Sequence, residues 1–553
     1  MGIQTKIKDL KQYTTLVDWK LLAFLVLFLD VKIAIKIMAL MLIYLLQFDF
    51  KLGFSFKNSR LPLFYLIAIA ISIINWIIYK GYASINYNVV FLTGIGFWLL
   101  CVLAIHQVKL SVERNEPAVV HRTILLFFIL NAVVSGLTLL NIICEIHTIN
   151  PYRYQGNYQK YFIGTGDYIK GITFDVSTTN AVLNAFGVIY FLSRKNVVMV
   201  LACMAVLLLT GSNTINLMLV GILTLLFIVK STLDQKSVIV ICLMLLAVFM
   251  FKISPQNDDY IFKTYYRLHF HKKYDDRLFV VHTIPVTQKP DSVLSPDERK
   301  QKIAKLYLDS IKKPVFNLDV KKQFINSSTT AAEVTKPDIP VPSIHTAPFQ
   351  HVDALSPEKQ RLLDFVKAHQ YSLPTASLQS IKPSATPGKV VALGQTLSFL
   401  QHYPQKALTG NGIGNFSSKL AFKVTGLGNS GGFPAKYDYI NPLFLTNHLD
   451  VYLNFFSRAD GFHSLINSPN SVYDQLLSEY GLIGLLAFAI YYLGYFLKHY
   501  KSMSYGVALM LLMCGVFFID YWFEQLSVIV FFELLMLVDI KQPAPKTLSY
   551  AKQ

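Results

Sequence analysis

Twelve apolar runs, most of them close to the length a helix needs to cross lipid, govern what this chain of 553 residues can fold into. A bilayer core takes about 20 apolar residues in a helix, with a lower limit near ~17. Inside hydrocarbon every backbone polar group needs an internal partner, so a run of that length reads as a helix. The runs fall at 16–30, 31–48, 61–79, 88–106, 120–143, 176–193, 196–210, 212–229, 236–252, 479–498, 503–520 and 522–539. The first two are together too long for one helix, and Asp30 and Lys32 mark the turn between them. Charged residues make up only 15% of the chain, against about 25% in soluble domains. The expected fold is an all-α polytopic membrane protein of about twelve spans.

Basic residues test that count. With a cytoplasmic N-terminus, the inside segments hold Lys6, Lys8, Lys11, Lys51, Lys57, Arg60, Lys109, Arg114, Arg122, Arg194, Lys195, Lys230, Lys236, Lys498, Lys501, Lys541, Lys546 and Lys552. The short outside loops hold Lys80, Arg153, Lys160 and Lys170, so 18 stand against 4. That is the positive-inside asymmetry, and merging the first two spans would reverse it. The net charge of +18 therefore reflects orientation. No zinc-finger spacing, aromatic RNA-binding motif or basic helix points to nucleic acid.

The resulting organisation is a membrane domain over 1–252, an outward domain over 253–478, a second membrane domain over 479–540 and a cytoplasmic tail over 541–553. Within the outward domain, 283–388 is polar and proline-rich and reads as an insertion. Its Leu294-Ser295-Pro296-Asp297-Glu298 and Leu355-Ser356-Pro357-Glu358 are two capped helix starts: serine at the N-cap, proline next and acids in the first turn. None of the five cysteines lies in the outward domain, so no disulfide framework holds it. Few ionisable residues lie deep in the spans: Lys32 and Lys36 sit near a helix end, and the buried polar residues are mainly Asn131, Asn180 and Asn184. That scarcity, with no inverted repeat, argues against an ion-coupled transporter.

Four stretches carry chemistry. Asn470-Ser471 stands nine residues before Gly481-Leu482-Ile483-Gly484, which opens a span, and the residues between, including Tyr473 and Tyr480, predict a short amphipathic helix at the outer surface. Gly171-Ile172-Thr173-Phe174-Asp175 precedes Thr179-Asn180 at a helix start. Leu209-Thr210-Gly211-Ser212-Asn213 joins two apolar runs. Pro404 precedes Thr409-Gly410-Asn411-Gly412-Ile413-Gly414-Asn415-Phe416. In order and spacing these resemble the O-antigen ligase and O-antigen polymerase superfamily of bacterial inner-membrane enzymes. The resemblance covers most of the chain outside 283–388. It departs from the family where Asn470 stands for a histidine, Asn213 for a common arginine, and Lys389 for an arginine that often precedes the glycine-rich element.

The resemblance implies a GT-C type fold, with a large, mostly helical periplasmic domain between spans 9 and 10 and both termini cytoplasmic. It implies a metal-independent glycosyltransferase of lipopolysaccharide or other polysaccharide biosynthesis, with undecaprenyl diphosphate-linked glycan as donor. The acceptor is a glycan, a lipid A core or a protein. An acceptor hydroxyl attacks the anomeric carbon and the lipid diphosphate leaves. Cationic groups must then meet the charge developing on the diphosphate, a task suited to arginine. The candidates are Arg267, Lys272, Arg277, Lys389, Arg153 and Arg458, with Asn213 and Tyr473 as further substrate contacts. Asparagine does not titrate. Asn470 is therefore expected to orient the acceptor, with His463, Asp474 or Glu479 as base. Polymerase, ligase and protein O-oligosaccharyltransferase stay open, and a transporter or a membrane scaffold is the alternative from another class.

Overall fold

The computed structural model describes residues 16–154, 165–229, 231–254, 387–427, 433–456, 465 and 468–541. The described residues form helices and turns, with no strand among them. Each of the twelve apolar runs contains a helix. They are α1 (Trp19–Phe28), α2 (Ile33–Leu46), α3 (Phe64–Ile78), α4 (Ile85–Arg114), α5 (Pro117–Ile146), α6 (Ser177–Ser193), α7 (Val197–Leu209), α8 (Asn213–Val229) and α9 (Leu233–Val248). The domain that follows contributes α10 (Gly388–His402), α11 (Lys419–Lys423), α12 (Pro442–Asn447) and α13 (Leu449–Phe456). The bundle resumes with α14 (Val472–Ala487, continued to Leu497), α15 (Gly506–Val516), the single turn α16 (Trp522–Gln525) and α17 (Ser527–Lys541). Four helices are long and apolar enough to cross a membrane: α4, α5, α9 with its π-helical extension to Ile253, and α14 through Leu497.

Local chemistry sets the helix starts. Asp18 caps α1 by accepting from the Lys20 and Leu21 amides, and Ser84 caps α4 through the Tyr87 amide. Pro117 opens α5 where its missing N–H costs nothing, and Thr232 with Gln235 forms a capping box on α9. The break between α1 and α2 falls at Asp30, whose carboxylate accepts from the Lys32 amide at 2.8 Å.

The centre of the bundle is α6 and α17. Residues Ser177–Leu192 and Ser527–Asp539 are buried on every side. A helix enclosed all round must be apolar all round. Here it also carries amides that need partners. Asn131 donates to Asn180 (2.9 Å), Asn180 donates to Ser135 and to the Ile169 carbonyl, and Asn131 accepts from the Ile172 amide (3.0 Å). The asparagines thus hold the 165–175 loop in the bundle.

The connections alternate between two ends. Residues 387–427 and 433–456 pack at one end, where Val31 donates to Thr173, Asn75 to Thr409, Tyr87 to Ile413, Tyr152 to Leu209, Asn150 to Ile253 and Val472 to Phe517. At the other end Arg114 meets Asp49 (2.8 Å), Arg60 meets Glu113, Lys20 donates to Leu46, Gln235 to Leu192, and Lys541 to Val112 and Asn115.

Three sequence expectations change. The run at 503–520 ends as helix at Val516, and the run at 522–539 becomes regular only from Ser527. Between them Leu526 takes a φ of 71° and Trp522 donates to the Val516 carbonyl, so residues 517–526 form a structured loop. The segment after Asn470 is no surface helix: Val472, Asp474, Gln475, Leu476, Ser478, Glu479 and Tyr480 are all buried. Ionisable residues also lie deeper than their scarcity suggested. Glu533, fully buried on α17, accepts from the Tyr65 hydroxyl, and Lys36, 2% exposed, donates to Phe28 O (2.8 Å) and Ser527 Oγ (2.7 Å). Asp539 is also buried but is explained locally, since it accepts from the Ser504, Tyr505 and Gly506 amides at the start of α15.

Candidate active site at the domain end of the bundle

Two of the stretches singled out in the sequence interlock here. The helix that begins after Asn470 is interrupted at Gly481, where φ is 68° and ψ is −168°. The glycine-rich segment 407–414 lies against that interruption: Asn411 donates to Ser478 O, Gly412 to Glu479 O, Leu482 to Ala407 O and Ile483 to Leu408 O, at 2.8–3.0 Å. The approach is too close for side chains. A Cβ on Gly410 would stand 2.2 Å from the Glu479 carbonyl carbon, and one on Gly481 would stand 2.3 Å from Leu408 O. The glycines of both stretches are therefore required by one another.

Glu479 locks this junction. It is fully buried, and its carboxylate accepts from the amides of Gly414 (2.9 Å), Phe416 (2.9 Å) and Ser418 (3.2 Å). With both oxygens engaged by backbone amides, Glu479 shapes the loop. Ser418, at the end of the same loop, then caps α11 through the Ala421 amide.

That cap orients two lysines. Lys419 and Lys423 stand four residues apart and so share a face of α11. They face Asp520 and Glu524 from the 517–526 loop and Asp175 from the 165–175 loop. Burial would depress the Lys419 ammonium, but the three carboxylates outweigh it and hold its pKa above the usual lysine value. Lys423 is lowered by burial and by the Lys419 charge. Glu524 accepts from the Leu420 amide (3.0 Å) and from Gln475 (2.7 Å), and Asp175 accepts from Thr179 (3.0 Å).

Lys389 also feels the charge of Asp520. Its Nζ donates to the carbonyls of Asn470 and, at 3.0 Å, Ile519. Burial pulls its pKa down to about 7, against the opposing pull of Asp520 and Asp474. Asn470 donates its amide to Asp520 Oδ1 (3.2 Å). Beneath them lies a buried relay in which Gln395 donates to Asp450 and its oxygen meets His448 Nδ1 (3.1 Å), while His448 Nε2 is 3.8 Å from Asp474. Burial lowers the His448 pKa to about 3, so the imidazole is neutral.

Among the expected residues, Lys389, Asn470 and Glu479 converge here. Tyr473 has a packing role: its hydroxyl donates to Cys514 O (2.8 Å) and its ring packs on Phe518. Arg153 donates to the Lys252 carbonyl at the exit of α9, and Asn213 opens α8. Arg267, Lys272, Arg277, Arg458 and His463, and both capped helix starts, lie outside the described residues. Lys419, Lys423, Asp520 and Glu524 lie outside the residues that the sequence singles out. The available signals were a serine cap followed by two lysines four apart, and two acids four apart where the last two apolar runs meet.

No family model, curated protein or solved structure matches this chain.

Proposed function

We propose that the protein is a twelve-span bacterial inner-membrane glycosyltransferase of cell-surface polysaccharide biosynthesis. On this reading it uses undecaprenyl diphosphate-linked glycan at the periplasmic face, and a glycan, a lipid A core or a protein is the acceptor. The supporting observation is convergence. Three stretches far apart in sequence, around Asp175, Gly410 and Asn470, meet at one end of the bundle and frame two half-buried lysines among carboxylates. Alternation of the connections between two ends supports twelve passes. The basic residues of Arg60, Arg114, Arg194 and Lys541 then collect at the end opposite the domain, as the positive-inside rule asks of a cytoplasmic face.

In this reading Lys419 and Lys423 take the diphosphate, displacing their carboxylate partners and offsetting the charge that grows on the leaving oxygen. Cationic catalysis of this kind gains strength as the site is withdrawn from water, and both lysines are partly buried. Asn470, held by Asp520, orients the acceptor.

A gel of lipopolysaccharide from a deletion strain, run with its lipid-linked glycan pool, tests the reading. Core bearing a single repeat unit identifies a polymerase. Bare core with polymer held on undecaprenyl diphosphate identifies a ligase. Unchanged lipopolysaccharide and pool, together with unchanged secreted polysaccharide and glycoproteins, would refute it.

Glu533 favours a second reading, since a buried carboxyl inside a bundle is the kind of group an ion-coupled transporter uses. Glu533→Gln separates the two: it would abolish coupled transport and leave glycan transfer in place.

A further inference from the structure

Resting on that reading, we propose that Lys389 is the catalytic base, the group that removes the proton from the attacking acceptor hydroxyl. Asn470, beside it, has no titratable group. Glu479 has both oxygens committed to the amides of Gly414, Phe416 and Ser418. His448 and Asp474 are almost completely buried, whereas Lys389 keeps partial exposure. Its two carbonyl partners, Asn470 and Ile519, come from separate segments and fix the amine between them. A neutral amine has two N–H donors and one lone pair. With both donors spent on carbonyls, the lone pair is what remains to accept a proton. An ammonium in the same place would instead present a third N–H.

The groups facing Nζ are Asp520 from the 517–526 loop and Asp474 from α14, with neutral His448 behind Asp474 and Lys419 across Asp520. The two acids oppose neutralisation and burial favours it, leaving the amine about half protonated near pH 7. That poise suits a general base working at neutral pH. In the step itself the acceptor oxygen bonds to the anomeric carbon as its proton passes to Nζ. The bond from that carbon to the diphosphate oxygen breaks, and its electron pair leaves with the lipid diphosphate at Lys419 and Lys423. Lys389 ends as an ammonium and regenerates by losing the proton to water.

The test uses the purified full-length protein with lipid-linked glycan extracted from the deletion strain and the acceptor that the deletion phenotype identifies, following release of undecaprenyl diphosphate from about pH 5 to 9. Wild type should show kcat rising with pH, half-maximal near 7. Lys389→Arg keeps the charge and the two donors but cannot act as a base, and Lys389→Gln removes the amine. Both should lose about 100-fold or more in kcat with KM little changed. Lys389→Cys alkylated with 2-bromoethylamine restores an amine of lower basicity; it should recover activity with the half-maximal pH moved down, wild type treated in the same way serving as control. An arginine variant within about tenfold of wild type would overturn the assignment. Recovery by the alkylated variant with an unmoved pH profile would also overturn it and leave Lys389 as a pin between Asn470 and Ile519. Wild type that releases no undecaprenyl diphosphate would overturn the glycosyltransferase reading and this assignment with it.

Discussion

At the scale of single residues the site depends on groups whose work is to hold other groups. Glu479 is the clearest, because its carboxylate accepts from three backbone amides. In Glu479→Gln the side-chain NH2 must face at least one of those donors, leaving a buried amide unpaired at a cost of about 1–3 kcal/mol. We expect a lower melting temperature in detergent and lost transfer, with Glu479→Asp between the two; an unchanged melting temperature would remove Glu479 from this role. Glu479 and Lys389 were visible in the sequence as charged residues beside recognisable stretches. Their roles were not, because a role depends on partners 60 to 130 residues away. The partners of Tyr473 were hidden for the same reason: helical spacing shows it near Asn470, while its hydroxyl donates to the Cys514 carbonyl and its ring packs on Phe518.

Among the elements, helices were legible and their interruptions were not. Apolar runs of about 15–20 residues can satisfy their backbone in lipid only as helices, so α1 to α9 lie where the sequence placed them. The break in α14 depends instead on the segment at 407–410 that packs into it, and on a backbone conformation, φ 68° with ψ −168°, that costs a non-glycine residue about 1–3 kcal/mol. Gly481→Ala adds that cost to a clash with Leu408 O, and should block folding or reduce expression severely. Gly96→Ala, whose new Cβ meets nothing within 4 Å, should leave expression and melting unchanged. Equal behaviour of the two variants, measured by size-exclusion profile in detergent, would show that the interlock is dispensable. The 517–526 loop escaped sequence reading because Trp522, Phe523 and Leu526 look like a span. What bends it is the turn at Leu526 and the bonds that Asp520 receives from Asn470, Tyr521 and Gln525.

For the whole molecule, the two ends differ in kind. One gathers basic residues on short connections, and the other carries residues 387–427 and 433–456 and the mixed charges of the site. If the bundle spans a membrane twelve times, cysteines introduced at the exposed Lys57 and Lys436 lie on opposite sides of it. With the exposed Cys144 replaced, an impermeant thiol reagent added to spheroplasts should label the position at 436 and spare that at 57. Labelling of both, or of 57 alone, would overturn the orientation. The central claim is that the charged end processes lipid-linked glycan through Lys419 and Lys423, and the most direct test is the size of that glycan pool in living cells. A deletion strain would carry either wild type or the Lys419→Gln/Lys423→Gln variant, matched for protein level in the membrane. The account predicts that the variant accumulates undecaprenyl diphosphate-linked glycan as the deletion does, whereas a pool restored to wild-type size would contradict it.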